Sequence, residues 1–182
     1  LLLLPFTQQS NSFTPFITAI FTSTSAVTLT GLVLVDTATY WTRAGQIVII
    51  SLMFIGGLGF MTIATFLLIV VGQRVTLAQR LLLKESLGLD KLGGLVRITI
   101  AIVIASIGIQ AAGFIALFVR FSFLYTPAEA VWQAAFLSVS GFNNAGFIAL
   151  NNPGGFSIFQ NDPLVIAIMA ILIVVGSISY WV

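Results

Sequence analysis

The sequence predicts an all-α membrane protein made of repeated units, each a short helix, a glycine-ended re-entrant loop and a long helix. Three observations carry that expectation. Of 182 residues, 59% are hydrophobic and only 7% charged, at a mean hydropathy of +1.14, whereas roughly a quarter of a soluble domain is charged. Three stretches, 44–72, 95–119 and 163–182, are long, apolar and nearly free of charge. Finally, the positions Phe21, Ser23, Ser25 and Gly31 return as Phe136, Ser138, Ser140 and Gly146, an ungapped offset of 115 residues.

Composition also narrows the chemistry. There is no His or Cys, and the acids Asp36, Glu85, Asp90, Glu129 and Asp162 are scattered. Metal clusters, thiol chemistry and imidazole bases are therefore excluded, and no enzyme is expected. A net charge of +2 is too small a bias for nucleic-acid binding. Leu1 to Leu4 lack the charged start of a signal peptide, and the sequence begins and ends inside apolar runs, so it reads as part of a longer membrane protein.

Taken in order, Leu1 to Leu4 before Pro5 read as the end of a helix. Residues 15–35 carry no charge through Leu34 and Val35, yet seven are hydroxylic (Thr18, Thr22, Ser23, Thr24, Ser25, Thr28, Thr30), too polar for a helix facing lipid. With Thr14 as N-cap and Pro15 first in the helix, a helix ending near Ala26 covers roughly 18 Å, about half the hydrocarbon core. Five extended residues, Val27 to Gly31, climb about 16 Å back to the same side. Residues 44–72 then cross the membrane. The connection 73–94 holds Arg74, Arg80, Lys84 and Lys91, with Arg97 just beyond, and these are five of the seven basic residues. The positive-inside rule places it in the cytoplasm, where Val75, Leu77, Ala78, Leu81, Leu82 and Leu87 are expected to give an interfacial helix its apolar face.

Residues 95–119 cross back outward. The second copy opens with Thr126, Pro127 and Glu129, the pattern of a capping box, and runs to Gly146 before the last crossing at 163–182. Two crossings separate the copies, so both face the same way. The predicted organisation is a first helix-loop-helix unit in 1–72, a cytoplasmic connection in 73–94 and a second unit in 95–182.

Backbone that dips into a bilayer is tolerated only where protein or a water-filled cavity surrounds it. Its carbonyls can then replace the hydration shell of a monovalent cation. The expected ligands are the carbonyls of Val27, Thr28, Leu29 and Thr30, ended by Gly31, and those of Phe142, Asn143, Asn144 and Ala145, ended by Gly146. The negative ends of the short helices, near Ala26 and Gly141, favour a cation. Apart from Glu129 neither segment has a carboxylate, which argues against calcium or magnesium. Gly56, Gly57 and Gly59 read as close-packing residues. Asp36 is either a cation attractor or a solvated loop acid. Arg43 and Arg120 read as anchors at helix ends, and Tyr40, Trp41 and Trp132 as members of an aromatic belt.

The run Phe21 to Thr37, FTSTSAVTLTGLVLVDT, with IGGLGFMT at Ile55 to Thr62, closely resembles the first membrane-pore-membrane unit of the Ktr-type bacterial potassium uptake subunit, within the Trk/Ktr/HKT superfamily. SVSGFNNAGF at Ser138 to Phe147, followed by NDPL at Asn161 to Leu164, resembles the second unit. The stretch QRVTLAQRLLLKES, Gln73 to Ser86, is also similar to that subunit and favours Ktr over the related Trk form. The resemblance implies a cation-channel-like pore of four such units around one ion path, of which this sequence holds the first two. It implies a bacterial multi-pass protein of the cell membrane, in contact with lipid and paired as a homodimer on a cytosolic nucleotide-binding ring. Arg74, Arg80 and Lys84 are the candidate contacts with that ring. The implied ion is potassium, with sodium second and no organic cofactor, because serine at the first filter glycine goes with sodium preference and this sequence has Gly31. Ser177 and Ser179 stand where the first long helix has Gly57 and Gly59. Two other readings stay open: a secondary transporter with discontinuous helices, which would need inverted repeats, and a membrane scaffold without transport.

Overall fold

A computed structural model of the chain describes residues 1–59, 95–150 and 155–178. They form α1 (Phe16–Val27), α2 (Thr37–Tyr40), α3 (Arg43–Leu58), α4 (Leu95–Phe121), α5 (Pro127–Phe142) and α6 (Pro163–Ile178), with 3-10 turns at Pro5–Thr7 and Gly155–Phe159. There is no strand among the described residues, and an isolated antiparallel bridge joins Gln8 to Trp41. The chain divides into two compact units, residues 1–57 with 109–182, and residues 58–108. Leu58, Gly59 and the part of α4 up to Gly108 belong to the second, and everything else described below lies in the first. Residues Ile100–Phe121 of α4, 22 in number at mean hydropathy 2.4, are long and apolar enough to cross a membrane, and α1, α3 and α6 are shorter apolar helices.

Two apolar clusters hold the first unit together. In one, the end of α4 meets α5 and α6 through Leu117, Phe121, Leu137, Val165 and Leu172. Gly113 permits this approach, since a Cβ there would lie 2.6 Å from Leu172 Cδ2. In the other, Ala26 of α1, Ile49 and Met53 of α3, and Phe136 of α5 pack with Trp41 and Phe147. The second cluster brings the two copies of the repeat together. Ile104, Ile115 and Val119 on α4, and Leu164, Ile171 and Val174 on α6, are exposed. With apolar surface on the outside, close packing rather than water exclusion must hold such helices together.

Leu1 to Leu4 form a tight turn, in which Leu4 N donates to Leu1 O at 3.0 Å, a bond that the last turn of a helix also makes, and Thr7 Oγ1 donates to the carbonyls of Leu2 and Leu4. Several local expectations are corrected. Helix α1 starts one residue late, because Pro15 has ψ 135 and serves as N-cap itself. Thr126 is the N-cap of α5 with Pro127 in the first turn, but makes no side-chain cap bond. The capping box does not form, because the Glu129 carboxylate is drawn to Arg43 and Gln133 instead. The long helix expected over 44–72 ends at Leu58, and Gly59 has φ +74. Val27 to Gly31 is not an extended run: Val27 is helical, Thr28 has φ −83 and ψ −1, and Leu29 is left-handed at φ 58. Residues 60–72 and the connection 73–94, with Arg74, Arg80, Lys84, Lys91 and the apolar face expected there, lie outside the described residues.

Candidate functional site

The offset of 115 residues is carried by the backbone itself. Thr28 and Asn143, the C-caps of α1 and α5, have φ/ψ of −83/−1 and −83/2. The next residues, Leu29 and Asn144, are left-handed at φ 58 and 55, and Gly31 and Gly146 both have φ 72. Thr30 N donates to Ser25 O at 3.1 Å, and Ala145 N to Ser140 O at 2.9 Å. These are the six-to-one bonds of a Schellman motif. Asparagine tolerates the left-handed region, whereas leucine there is an outlier held by its surroundings.

Beyond these caps the carbonyls are bare. From Val27 through Val35, and from Phe142 through Gly146, no main-chain oxygen accepts a hydrogen bond among the described residues. Backbone oxygens are obligatory acceptors, so both runs call for water or an ion. The two runs meet at their glycines. A Cβ on Gly146 would lie 3.3 Å from Gly31 Cα, and one on Gly31 only 2.7 Å from Ala145 O. Of the ten residues expected at the site, Gly31 is thus brought against Ala145 and Gly146, and the two runs are unequally covered. Val27, Thr28 and Thr30 are exposed, while Phe142, Asn143 and Ala145 are buried.

The long helices seat these turns. A Cβ on Gly56 would collide with Val27 O, and one on Gly176 with Phe142 O, so the paired glycines press on paired oxygens. The oxygens of Val27 and Phe142 therefore lie against α3 and α6. The Asn143 side chain occupies the space that a Cβ on Gly57 would fill. At the matching position Ser177 Oγ accepts from Asn144 Nδ2 at 3.1 Å. Gly56 and Gly57 are close-packing residues, as expected. Gly59 is not, having no described atom within 4 Å of a Cβ.

At the N-terminal ends of α3 and α5 stands a polar network that no sequence motif announces. Arg43 pairs with Glu129, and its guanidinium lies 4.8 Å from the centre of the Trp132 ring. Gln46 Nε2 donates to Thr37 O at 3.1 Å and Trp41 O at 3.2 Å, while its Oε1 accepts from Trp132 Nε1 at 2.6 Å. Gln133 Nε2 donates to Ala149 O at 2.8 Å. Arg43, Gln46, Glu129 and Gln133 border a cavity of about 370 Å³ with Gln9, Tyr125 and Ala149. The signal was there to read: Gln46 and Gln133 each stand near the start of an otherwise apolar helix. Asp36 is exposed and caps α2, accepting from Ala38 N and Thr39 N at 2.9 Å. Arg43 and Arg120 do stand at helix ends, and Arg120 pairs with Asp162 at 2.8 Å. Partial burial pushes the Asp162 carboxyl up, but the Arg120 hydrogen bond and charge and the amides of Val165 and Leu164 outweigh it and leave the group below its ordinary value. No group of three or more acids able to hold a metal is present among the described residues.

The TrkH profile, described as cation transport protein, matches residues 2–182. The chain is 37% identical over 180 residues to the potassium/sodium uptake protein NtpJ of Enterococcus hirae, covering 99% of this chain and 40% of that protein. It is 41% identical over 169 residues to Ktr system potassium uptake protein B of Vibrio alginolyticus, covering 90% of this chain and 36% of that protein. The protein of the same name from Bacillus subtilis is 35% identical over 167 residues, covering 92% and 37%. The chain thus spans about two fifths of the length of these relatives. A profile match running almost from the first residue to the last, over a helical repeat with glycines paired at its centre, places this chain in the TrkH family of cation transport proteins.

Proposed function

We propose that this chain forms two of the pore units of a multi-pass potassium uptake protein of the cell membrane, residues 1–72 and 95–182, joined by a cytoplasmic connection at 73–94. The observation that carries this reading is the pair of bare carbonyl runs, capped alike and meeting at Gly31 and Gly146. Each run re-enters from the outer face and lends its oxygens to a passing alkali ion. Thr28 to Thr30 and Asn143 to Ala145 provide the ligands, with Val27 and Phe142 at the helix end of each run. The negative ends of α1 and α5 favour a cation there without a fixed carboxylate, which suits a weakly hydrated monovalent ion. Potassium is the cargo and sodium the competing ion, in keeping with the names of the relatives. Assembly follows the Ktr pattern: a homodimer on a cytosolic nucleotide-binding ring, touched through Arg74, Arg80 and Lys84.

The test is Gly31→Ser in the full-length protein, with uptake of potassium measured against sodium. At φ 72 and so close to Ala145 O, a side chain must shift the turn, and the preference for potassium should fall. Unchanged preference, with the protein present in the membrane, removes Gly31 from the ion path.

A further inference from the structure

We propose that Gln46, Trp132 and Gln133 are positioning residues that set the spacing between the two carbonyl runs and thereby the preference between alkali ions. The proposal rests on the filter reading given above. Gln46 and Gln133 are 4% and 1% exposed. Burying an amide is costly unless its hydrogen bonds are made, so two such residues on apolar helices call for a specific task. Their bonds show what it is. Gln46 Nε2 holds Thr37 O and Trp41 O, in the chain that leaves Gly31. Gln133 Nε2 holds Ala149 O, three residues beyond Gly146. Each glutamine therefore fixes the segment that leaves one of the paired glycines.

The two holds are tied to each other. Trp132, next to Gln133 on α5, donates Nε1–H to Gln46 Oε1 at 2.6 Å. Arg43, one turn before Gln46 on α3, pairs with Glu129, one turn before Gln133 on α5. Residues three and four apart share a helix face, so both ties run between the same two faces. The distance between α3 and α5, and with it the distance between the segments they hold, is set by these side chains. A carbonyl cage distinguishes ions through the number and spacing of its oxygens. A small change in the tie is thus read out as a change in ion preference.

The experiment uses the full-length protein and measures potassium uptake in competition with sodium, alongside the amount of protein in the membrane. Trp132→Phe keeps an aromatic ring beside Arg43 but removes the N–H donor. Gln46→Leu and Gln133→Leu remove the holds. The expected result is a fall of about fivefold in potassium over sodium preference for Trp132→Phe, the effect of losing one buried hydrogen bond, at an unchanged amount of protein. Combined with Gln46→Leu it should be no worse than Gln46→Leu alone, since both break the same bond. If Gln46→Leu fails to accumulate, Trp132→Phe with Gln133→Leu decides the matter. Less protein or slower uptake at unchanged preference overturns the proposal and leaves these residues as ordinary supports. Preference altered by Gly31→Ser but not by the three brace variants also overturns it, while the filter reading survives. Preference altered by none of them removes both.

Discussion

Replacing Gly56 or Gly176 by alanine places a methyl group on a main-chain oxygen, that of Val27 or Phe142, and such an oxygen has no rotamer into which to retreat. In an ordinary helix interior the same change is favourable by roughly 0.5–1 kcal/mol, because glycine loses more freedom on folding. Overpacking of a tight contact is unfavourable by about 1–3 kcal/mol. The collision is with backbone, which puts the overpacking toward the upper end of that range, and after the gain in helix propensity the net effect is a loss of up to about 2.5 kcal/mol at either site. Gly108→Ala in α4 is the control, for no described atom lies within 4 Å of a Cβ there. The assay is the fraction of full-length protein in detergent that stays monodisperse on size exclusion after heating. Both Gly56→Ala and Gly176→Ala should lose heat survival to a similar degree, while Gly108→Ala should keep or improve it. Equal behaviour of all three would show that the glycines do not seat the turns.

Asp36→Ala should weaken the structure by about 1 kcal/mol through loss of the α2 cap, whereas Asp36→Asn, an equally good cap, should preserve both heat survival and potassium affinity; a weaker affinity in the asparagine variant would restore a role for the charge. Asn144→Gly should be tolerated at φ 55, while Asn144→Val, β-branched and left-handed, should lower heat survival by on the order of 1–3 kcal/mol; equal survival of the two would remove backbone strain as the reason. Because the Asp162 carboxyl sits below its ordinary value, its ionised form supports the fold. That support is present at neutral pH and is lost as pH falls below the ordinary carboxylate range through the folded value. Heat survival of the wild type should therefore approach that of Asp162→Asn in acid, and a gap that stays constant with pH would refute the linkage.

What the sequence made legible was the repeat, because its register is written in small and hydroxylic residues that alternative folds would not place twice at one spacing. Residues with no chemical likeness obey it: Thr28 matches Asn143 and Leu29 matches Asn144 in backbone angle. The left-handed turn was readable at Asn144, a residue that favours it, and unreadable at Leu29, where the cap bond to Ser25 imposes it. Local patterns failed where a distant partner competed. Glu129 had the spacing of a capping box, yet Arg43, 86 positions away, takes its carboxylate. Asp36 had the look of a free loop acid because a four-residue helix leaves no periodic signal. The break at Gly59 was hidden in an apolar run long enough to cross a membrane without interruption. The two buried glutamines were visible as polar residues on apolar helices, but only the fold says which carbonyls they hold.

The facing of Gly31 and Gly146 reaches beyond ion passage. Neither half of this chain is a free-standing module: the Cα of one glycine occupies the room a side chain would need on the other, and Asn143 fills the hollow left by Gly57. A chimaera joining the first half of one relative to the second half of another would inherit two surfaces shaped by different partners. Such swaps should succeed only where the donors already agree at these few touching positions, however similar they are elsewhere.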